Sequence, residues 1–238
     1  MQANRAVYWL GRHWLFVVNL GLAVFVGLPW LAPVFMKLGW AGAANIIYLL
    51  YSTQCHQLPQ RSFFLFGAQP TYSLAEIQAV WQATVNPLVL RQFIGDAQMG
   101  WKVAWSDRMV AMFTSLLVFG VLYAPIRRWI TPLPLWAFVF LLAPMALDGG
   151  THLISDLAGL GQGFRDSNQW LATLTQHTFP AAFYAGDALG SFNSWMRLLT
   201  GMLFGLGVVW LAHPHLESVF AGAAREIEAK LHSAGVEL

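Results

Sequence analysis

The residues best equipped for chemistry fall into four short groups. Cys55, His56, Gln57 and Arg61 lie within seven positions, Asp107 and Arg108 are adjacent, Asp148 and His152 are four positions apart, and Arg197 precedes an apolar run. A thiol beside an imidazole could bind a soft metal ion, or attack an electrophile once the imidazole takes its proton. Neighbouring residues on a helix point about 100° apart, so Cys55 and His56 cooperate only where the backbone is irregular. Asp148, His152 and Asp156 would share one helix face, which could orient His152 for metal or proton work. Against this, Gly149-Gly150 predicts a helix break that leaves His152 and Asp156 in a wet loop and Asp148 on backbone or on Arg197. Arg61, Arg108 and Arg197 could clamp a phosphate, a carboxylate or a lipid headgroup. Alternatively they pair with Asp107 and Asp148 and lock the helices. The candidate metal ligands are therefore Cys55, His56 and His152, for zinc or copper. Arg61, Asp107, Arg108, Asp148 and Arg197 form a polar ring that is either ligand-binding or structural.

The elements that must hold these residues are membrane helices. Of 238 residues, 57% are hydrophobic and 10% charged, against about 25% charged in soluble domains. Charge-free runs cover Trp14–Met36, Met109–Ile126, Trp129–Leu147 and Leu198–Ala212. A span needs about 20 apolar residues, so the last run must borrow Trp195, Met196 and Arg197. The first run is too long for a signal-peptide core of about 7–15 residues, and Pro29 and Pro33 should kink it. The expectation is an all-α integral membrane bundle of about four transmembrane helices, with outer-face helices and a C-terminal amphipathic helix. Residues 1–213 would form the bundle, with long connections at 37–107 and 148–195, and 214–238 a cytoplasmic helix.

Orientation follows the excess of Lys and Arg on the cytoplasmic side. Arg5 and Arg12, then Arg127 and Arg128, then Arg225 and Lys230 fall on one side of a four-span chain, so both termini are placed in the cytoplasm of a cell membrane. The polar groups then converge on the outer face, where ionisable residues at membrane depth point to function. In the first connection, Ala43–Tyr51 is apolar but too short to cross, which suits a re-entrant or interfacial helix. Ser73 and Glu76 form a capping box that opens a short amphipathic helix reaching Asn86-Pro87. In the tail, Leu216, Val219, Phe220, Ala223, Ile227 and Leu231 make one apolar stripe. That stripe suits either the inner membrane surface or contacts with other membrane subunits. A net charge of +2 and the lack of a basic run give no footing for nucleic acid. With Cys55 the sole cysteine, no intrachain disulfide forms.

The chain also resembles an uncharacterised family of small predicted membrane proteins in bacteria and archaea. The family's Cys-His-Gln-x-Pro-x-Arg-Ser-Phe signature corresponds to Cys55–Phe63, which reads CHQLPQRSF. Weaker elements correspond to Ser106–Phe113, to Asp148-Gly149-Gly150-Thr151-His152 and to Arg197–Gly201. The resemblance spans roughly residues 50 to 212 and implies a multi-pass membrane fold without an activity. Where the family places further cysteines, this chain has Ser106 and Met109, which rules out a thiolate-rich zinc site and leaves Met109 as a possible copper(I) donor.

Three functions are compatible with these features. The first is binding of a transition metal or a small anionic ligand at the outer polar ring. The second is catalysis on a lipid or lipid-linked substrate, with His56 or His152 as base and Cys55 as nucleophile. The third is a non-catalytic accessory role in a larger membrane complex, with membrane lipids and neighbouring subunits as partners.

Overall fold

The structure is a computed structural model that describes residues 2–233. The last five residues of the expected tail segment, 234–238, lie outside the described residues. Along the chain come α1 (Gln2–Lys37), α2 (Ala41–Tyr51), a 3-10 turn (Pro59–Arg61), β1 (Ser62–Leu65), α3 (Leu74–Val80), α4 (Pro87–Leu90), β2 (Gly95–Asp96) and β3 (Gly100–Ser106). Then follow α5 (Asp107–Ile126), α6 (Leu135–Asp156), α7 (Phe164–Ser167), α8 (Gln169–Leu174), α9 (Ala181–Tyr184) and α10 (Phe192–Ser233). Among the described residues, α1, α5, α6 and α10 are long and apolar enough to cross a membrane. Their outer faces carry Val121, Leu122, Trp136, Val139, Phe140 and Leu147, all well exposed. So much apolar surface suits lipid as the solvent. The chain is an all-α membrane helix bundle, as its composition implies.

α10 is the hub, packing on α5, α6 and α1. Its contact with α5 is close because small residues meet: Gly201 and Gly205 face Ala111 and Ser115. A Cβ added at Gly205 would collide with the Ser115 side chain and lie 2.9 Å from Leu116 N, and one at Gly201 would lie 2.8 Å from Ala111 Cβ. This is the small-residue packing that lets helix backbones approach inside lipid.

The prolines do not end their helices. Each removes one N–H and so frees the carbonyl four residues earlier, and two of those carbonyls find donors elsewhere. Pro29 frees Phe25 O, which accepts the Tyr51 hydroxyl at 2.7 Å. Pro214 frees Trp210 O, which accepts Leu133 N at 3.2 Å. α10 therefore continues through Pro214 into the tail, which packs on the start of α1 through Gly11, Trp14 and Phe220.

A cap covers the opposite end. Its three-stranded antiparallel sheet, ordered β1-β3-β2, pairs Ser62 with Ser106 and Phe64 with Lys102, a register shift marking an irregularity between them. The sequence reading had no strands here. Their alternation is masked because β3 is buried at nearly every position. The capping box at Ser73 and Glu76 forms as expected, although α3 ends at Val80 rather than reaching Asn86. Trp105, Val103 and Ala104 of β3 pack with Tyr48 and Tyr51 of α2 and with Val26 and Ala32 of α1. Lys102 is fully buried, and Nζ donates to Gln57 O at 2.9 Å and Arg91 O at 2.6 Å. A neutral amine has two N–H groups for these two acceptors. Burial pushes its pKa down to about 7, opposed in part by Cys55.

Two outcomes follow. Gly205→Val should lower the thermal midpoint in detergent, since overpacking costs about 1–3 kcal/mol, whereas Gly150→Ala, which meets open space inside α6, should hold or slightly raise it. Between about pH 7 and the ordinary lysine range near 10, the folded state holds Lys102 neutral while the unfolded state keeps it protonated. The unfolded state binds more protons, so stability should rise with pH across that window. Lys102→Met should flatten the rise in thermal midpoint measured at several pH values.

Candidate functional site

The site is built where the cap meets the ends of α5, α6 and α10. The stretch after α2 turns back on itself because Gln57 adopts a left-handed conformation, φ +52°. Its side-chain amide ties the turn down by donating to Tyr48 O at 2.9 Å and Ala104 O at 3.0 Å. This irregular backbone presents Cys55, whose Sγ accepts the backbone N–H groups of Gln57 and Ser106 at 3.3 and 3.4 Å. His56 points outward and is exposed. Ser106 closes β3, so Asp107 and Arg108 fall in the first turn of α5, where a helix favours a carboxylate.

Four arginines and four aspartates interlock here. Arg61 grips Asp156 with two nitrogens at 2.8 and 2.9 Å and donates Nε to Asp187 at 2.7 Å. Arg197 donates Nε to both Asp107 oxygens at 2.8 and 2.9 Å, and its terminal nitrogens reach the Asp187 carboxylate and carbonyl, each at 2.6 Å. Asp148 accepts from Arg108 at 2.7 Å and from Arg165 at 2.6 Å. Burial alone would pull the Arg61 guanidinium down, but the Asp187 and Asp156 carboxylates hold it above its ordinary value. Burial likewise pushes Asp187 up, and Arg61 and Arg197 overcome this to hold it far below the usual carboxylate range.

Arg61, Asp107, Arg108, Asp148 and Arg197 lie in one network, with pairings that differ from those expected. Asp148 takes Arg108 and Arg165 rather than Arg197, which goes to Asp107 and Asp187. Gly149-Gly150 does not break the helix: α6 continues to Asp156 and puts Asp148, His152 and Asp156 on one face. Gly149 instead makes room, since a Cβ there would lie 2.6 Å from an Arg108 terminal nitrogen. Arg165 and Asp187 escaped the sequence reading. Each sits in a connection rich in small and polar residues, and the one available signal was a lone acid in the apolar stretch around Phe179–Leu189. Their positions are fixed by Asn168, also left-handed at φ +41°, and by Asn193. Both donate to Arg165 O at 2.7 Å, and Asn193 also donates to Gly186 O at 2.9 Å.

A cavity of about 540 Å³ opens beside this network. Its polar wall includes Cys55, His56, Arg61, Arg108, His152 and Arg197, and its apolar wall includes Leu58, Val85, Met109, Leu153 and Leu157. Leu153 of α6 and Leu157, which follows it, are 67% and 81% exposed, so this part of the cavity wall lies at the apolar surface of the bundle. Arg61, Arg165 and Arg197 each commit all three guanidinium nitrogens to protein acceptors, whereas Arg108 commits one. His152 Nε2 lies 3.2 Å from an Arg165 nitrogen. A guanidinium has no acceptor, so Nε2 accepts and the ring proton is assigned to Nδ1, which is buried without a partner. The three expected metal ligands thus share one cavity. Among the described residues, however, no three His, Cys, Asp or Glu side chains come together as a metal-holding group.

Comparison with known proteins places these features in context. The uncharacterized protein MJ1492 of Methanocaldococcus jannaschii is 28% identical over 163 residues, a stretch that covers 65% of this chain and 80% of that protein. No solved structure matches. Residues 97–211, which hold Arg108, Asp148, His152, Arg165, Asp187 and Arg197 but not the Cys55–Arg61 turn, match the family model described as "Predicted membrane protein (DUF2085)".

Proposed function

We infer that the cavity binds an amphiphile with an anionic headgroup, drawn laterally from the lipid, and that Arg108 is its principal anchor. The observation carrying this reading is the combination of spare Arg108 nitrogens and a cavity wall of Leu58, Leu153 and Leu157. Guanidinium nitrogens in a partly dry site bind phosphate or carboxylate oxygens through charge-assisted hydrogen bonds. The ion-paired arginines behind it have every nitrogen engaged by a protein acceptor, and they keep the wall electrostatically fixed. A ligand with a charged head and an apolar body would satisfy both surfaces at once, which a free inorganic anion would not. We place the cap on the outer side of a cell membrane, since Arg127 and the Arg225–Lys230 tail mark the other end as cytoplasmic.

The same cavity supports a second reading. Cys55 Sγ, seated on two N–H groups and facing a mouth at the lipid, is placed to act on a lipid-linked electrophile. A zinc or copper ion would have to be held by Cys55 with His152 or His56 and completed by water or ligand. Elemental analysis of purified protein beside Cys55→Ala decides that point, because stoichiometric metal lost in the variant would replace the amphiphile reading with a metal centre.

Native mass spectrometry of protein reconstituted with phosphatidylglycerol in a zwitterionic background tests the binding reading. Wild type should retain the anionic lipid, and Arg108→Gln should weaken retention by about 10- to 100-fold, the worth of hydrogen bonds to a charged group. Arg127→Gln, at the opposite end, should change nothing. Equal retention by wild type and Arg108→Gln would refute the assignment. Free phosphate competing as well as the lipid would move it to a soluble anion. Separately, Asp187→Ala should lower the thermal midpoint by on the order of 10 °C with or without lipid, since removing one partner of a buried pair costs about 3–5 kcal/mol.

A further inference from the structure

Far from the cavity, a second polar group lies inside the bundle. His213 of α10 and Tyr123 of α5 are 4% and 2% exposed, and Asn19 of α1 turns its side-chain oxygen inward beside them. Four of their polar atoms, Asn19 Oδ1, Tyr123 Oη, His213 Nδ1 and His213 Nε2, are buried with no hydrogen-bond partner among the described residues. The three side chains come from different helices and meet at one place. A Cβ built on Gly120 would lie 2.5 Å from Asn19 Oδ1 and 3.3 Å from His213 Nε2, so glycine is what allows the two to converge there. The Tyr123 and His213 rings meet edge to face with centroids 5.4 Å apart, and Trp14 closes the group at 5.6 Å from His213.

Polar atoms of this kind are almost always satisfied in folded proteins, and inside the hydrocarbon the requirement is stricter. The group lies close to the basic end of the bundle. One turn beyond His213, Glu217 accepts Trp14 Nε1 at 2.9 Å and lies 3.6 Å from Arg127 at the basic end of the bundle. We propose that Asn19, Tyr123 and His213 form an internal site for a small neutral hydrogen-bonding ligand, water above all, which enters from the Glu217–Arg127 end. The chemistry fits: the amide oxygen accepts, the phenol donates or accepts, and a neutral imidazole offers one donor and one acceptor. A water here makes the two to four hydrogen bonds that buried waters make. The site is independent of the arginine-lined cavity and its ligand.

Hydroxyl-radical footprinting of the full chain in lipid nanodiscs tests this, because bound water generates radicals where bulk water does not reach. Tyr48 is the internal standard: it is 6% exposed, and its hydroxyl is already satisfied by Lys102 O at 2.6 Å. Tyr123 and His213 should be oxidised several-fold faster than Tyr48. Asn19→Leu should slow oxidation of both residues, and His213→Phe should slow that of Tyr123. Wild-type Tyr123 reacting no faster than Tyr48 would show the site to be dry and overturn the proposal, and this comparison needs no variant to fold. Fast Tyr123 oxidation that persists in folded Asn19→Leu and His213→Phe would also overturn it, since the water would then be held by other groups.

Discussion

Two guanidinium groups, Arg61 and Arg197, share the carboxylate of Asp187, each donating to a different oxygen. Taking charges out of water is costly, and their mutual attraction offsets the loss only when geometry is close and the charged groups are well hydrogen-bonded. That condition is met: Arg61 and Arg197 have no idle nitrogen, and Asp107, Asp156 and Asp187 receive two or more hydrogen bonds each. The consequence is positional. Asp107 starts α5, Asp156 ends α6, Arg197 lies in the first turns of α10, and Arg61 belongs to the turn below the sheet. One shared anion thus fixes the ends of three spans against the cap.

The cavity is what this constraint leaves over. α6 packs on α10, and Arg108–Asp148 bridges from α5 to α6 at their capped ends. The Asp148 carboxylate receives Arg165 as well as Arg108, so it does not need every Arg108 donor. Arg108 consequently stands with nitrogens free at the border between a dry ionic lattice and apolar walls. A rigid wall with spare guanidinium N–H groups on Arg108 suits an anionic ligand, because little has to move when it arrives.

Composition and charge-free runs were enough to read the spans, and the capping box was enough to place α3. Helix length was harder to read. α1 and α10 extend well past their apolar cores because Gly11, Trp14 and Phe220 let the two ends pack together, a contact between residues some 200 positions apart. The sheet was hidden because burial on both faces erases the alternation that marks a strand. At the site, residue types single out the charged groups that α5, α6 and α10 bring together. The pairings were not legible, since an arginine can reach any of several aspartates and sequence does not rank them. Arg165 and Asp187 lie in connections whose shape depends on left-handed Asn168 and on the Asn193 side chain, neither of which has a periodic signature.

The two polar regions of the bundle obey opposite rules. At the capped end four arginines and four aspartates pair with one another. Near the basic end, His213, Tyr123 and Asn19 are neutral or weakly polar and lack protein partners. Between them lies the tight α5–α10 seam, where Ser115 Oγ satisfies itself on Met112 O at 2.9 Å and Gly201 O at 3.4 Å. A continuous wet path through the bundle would need that seam to part, and close glycine packing opposes this. The geometry therefore separates the two polar regions rather than joining them in one pathway through the bundle.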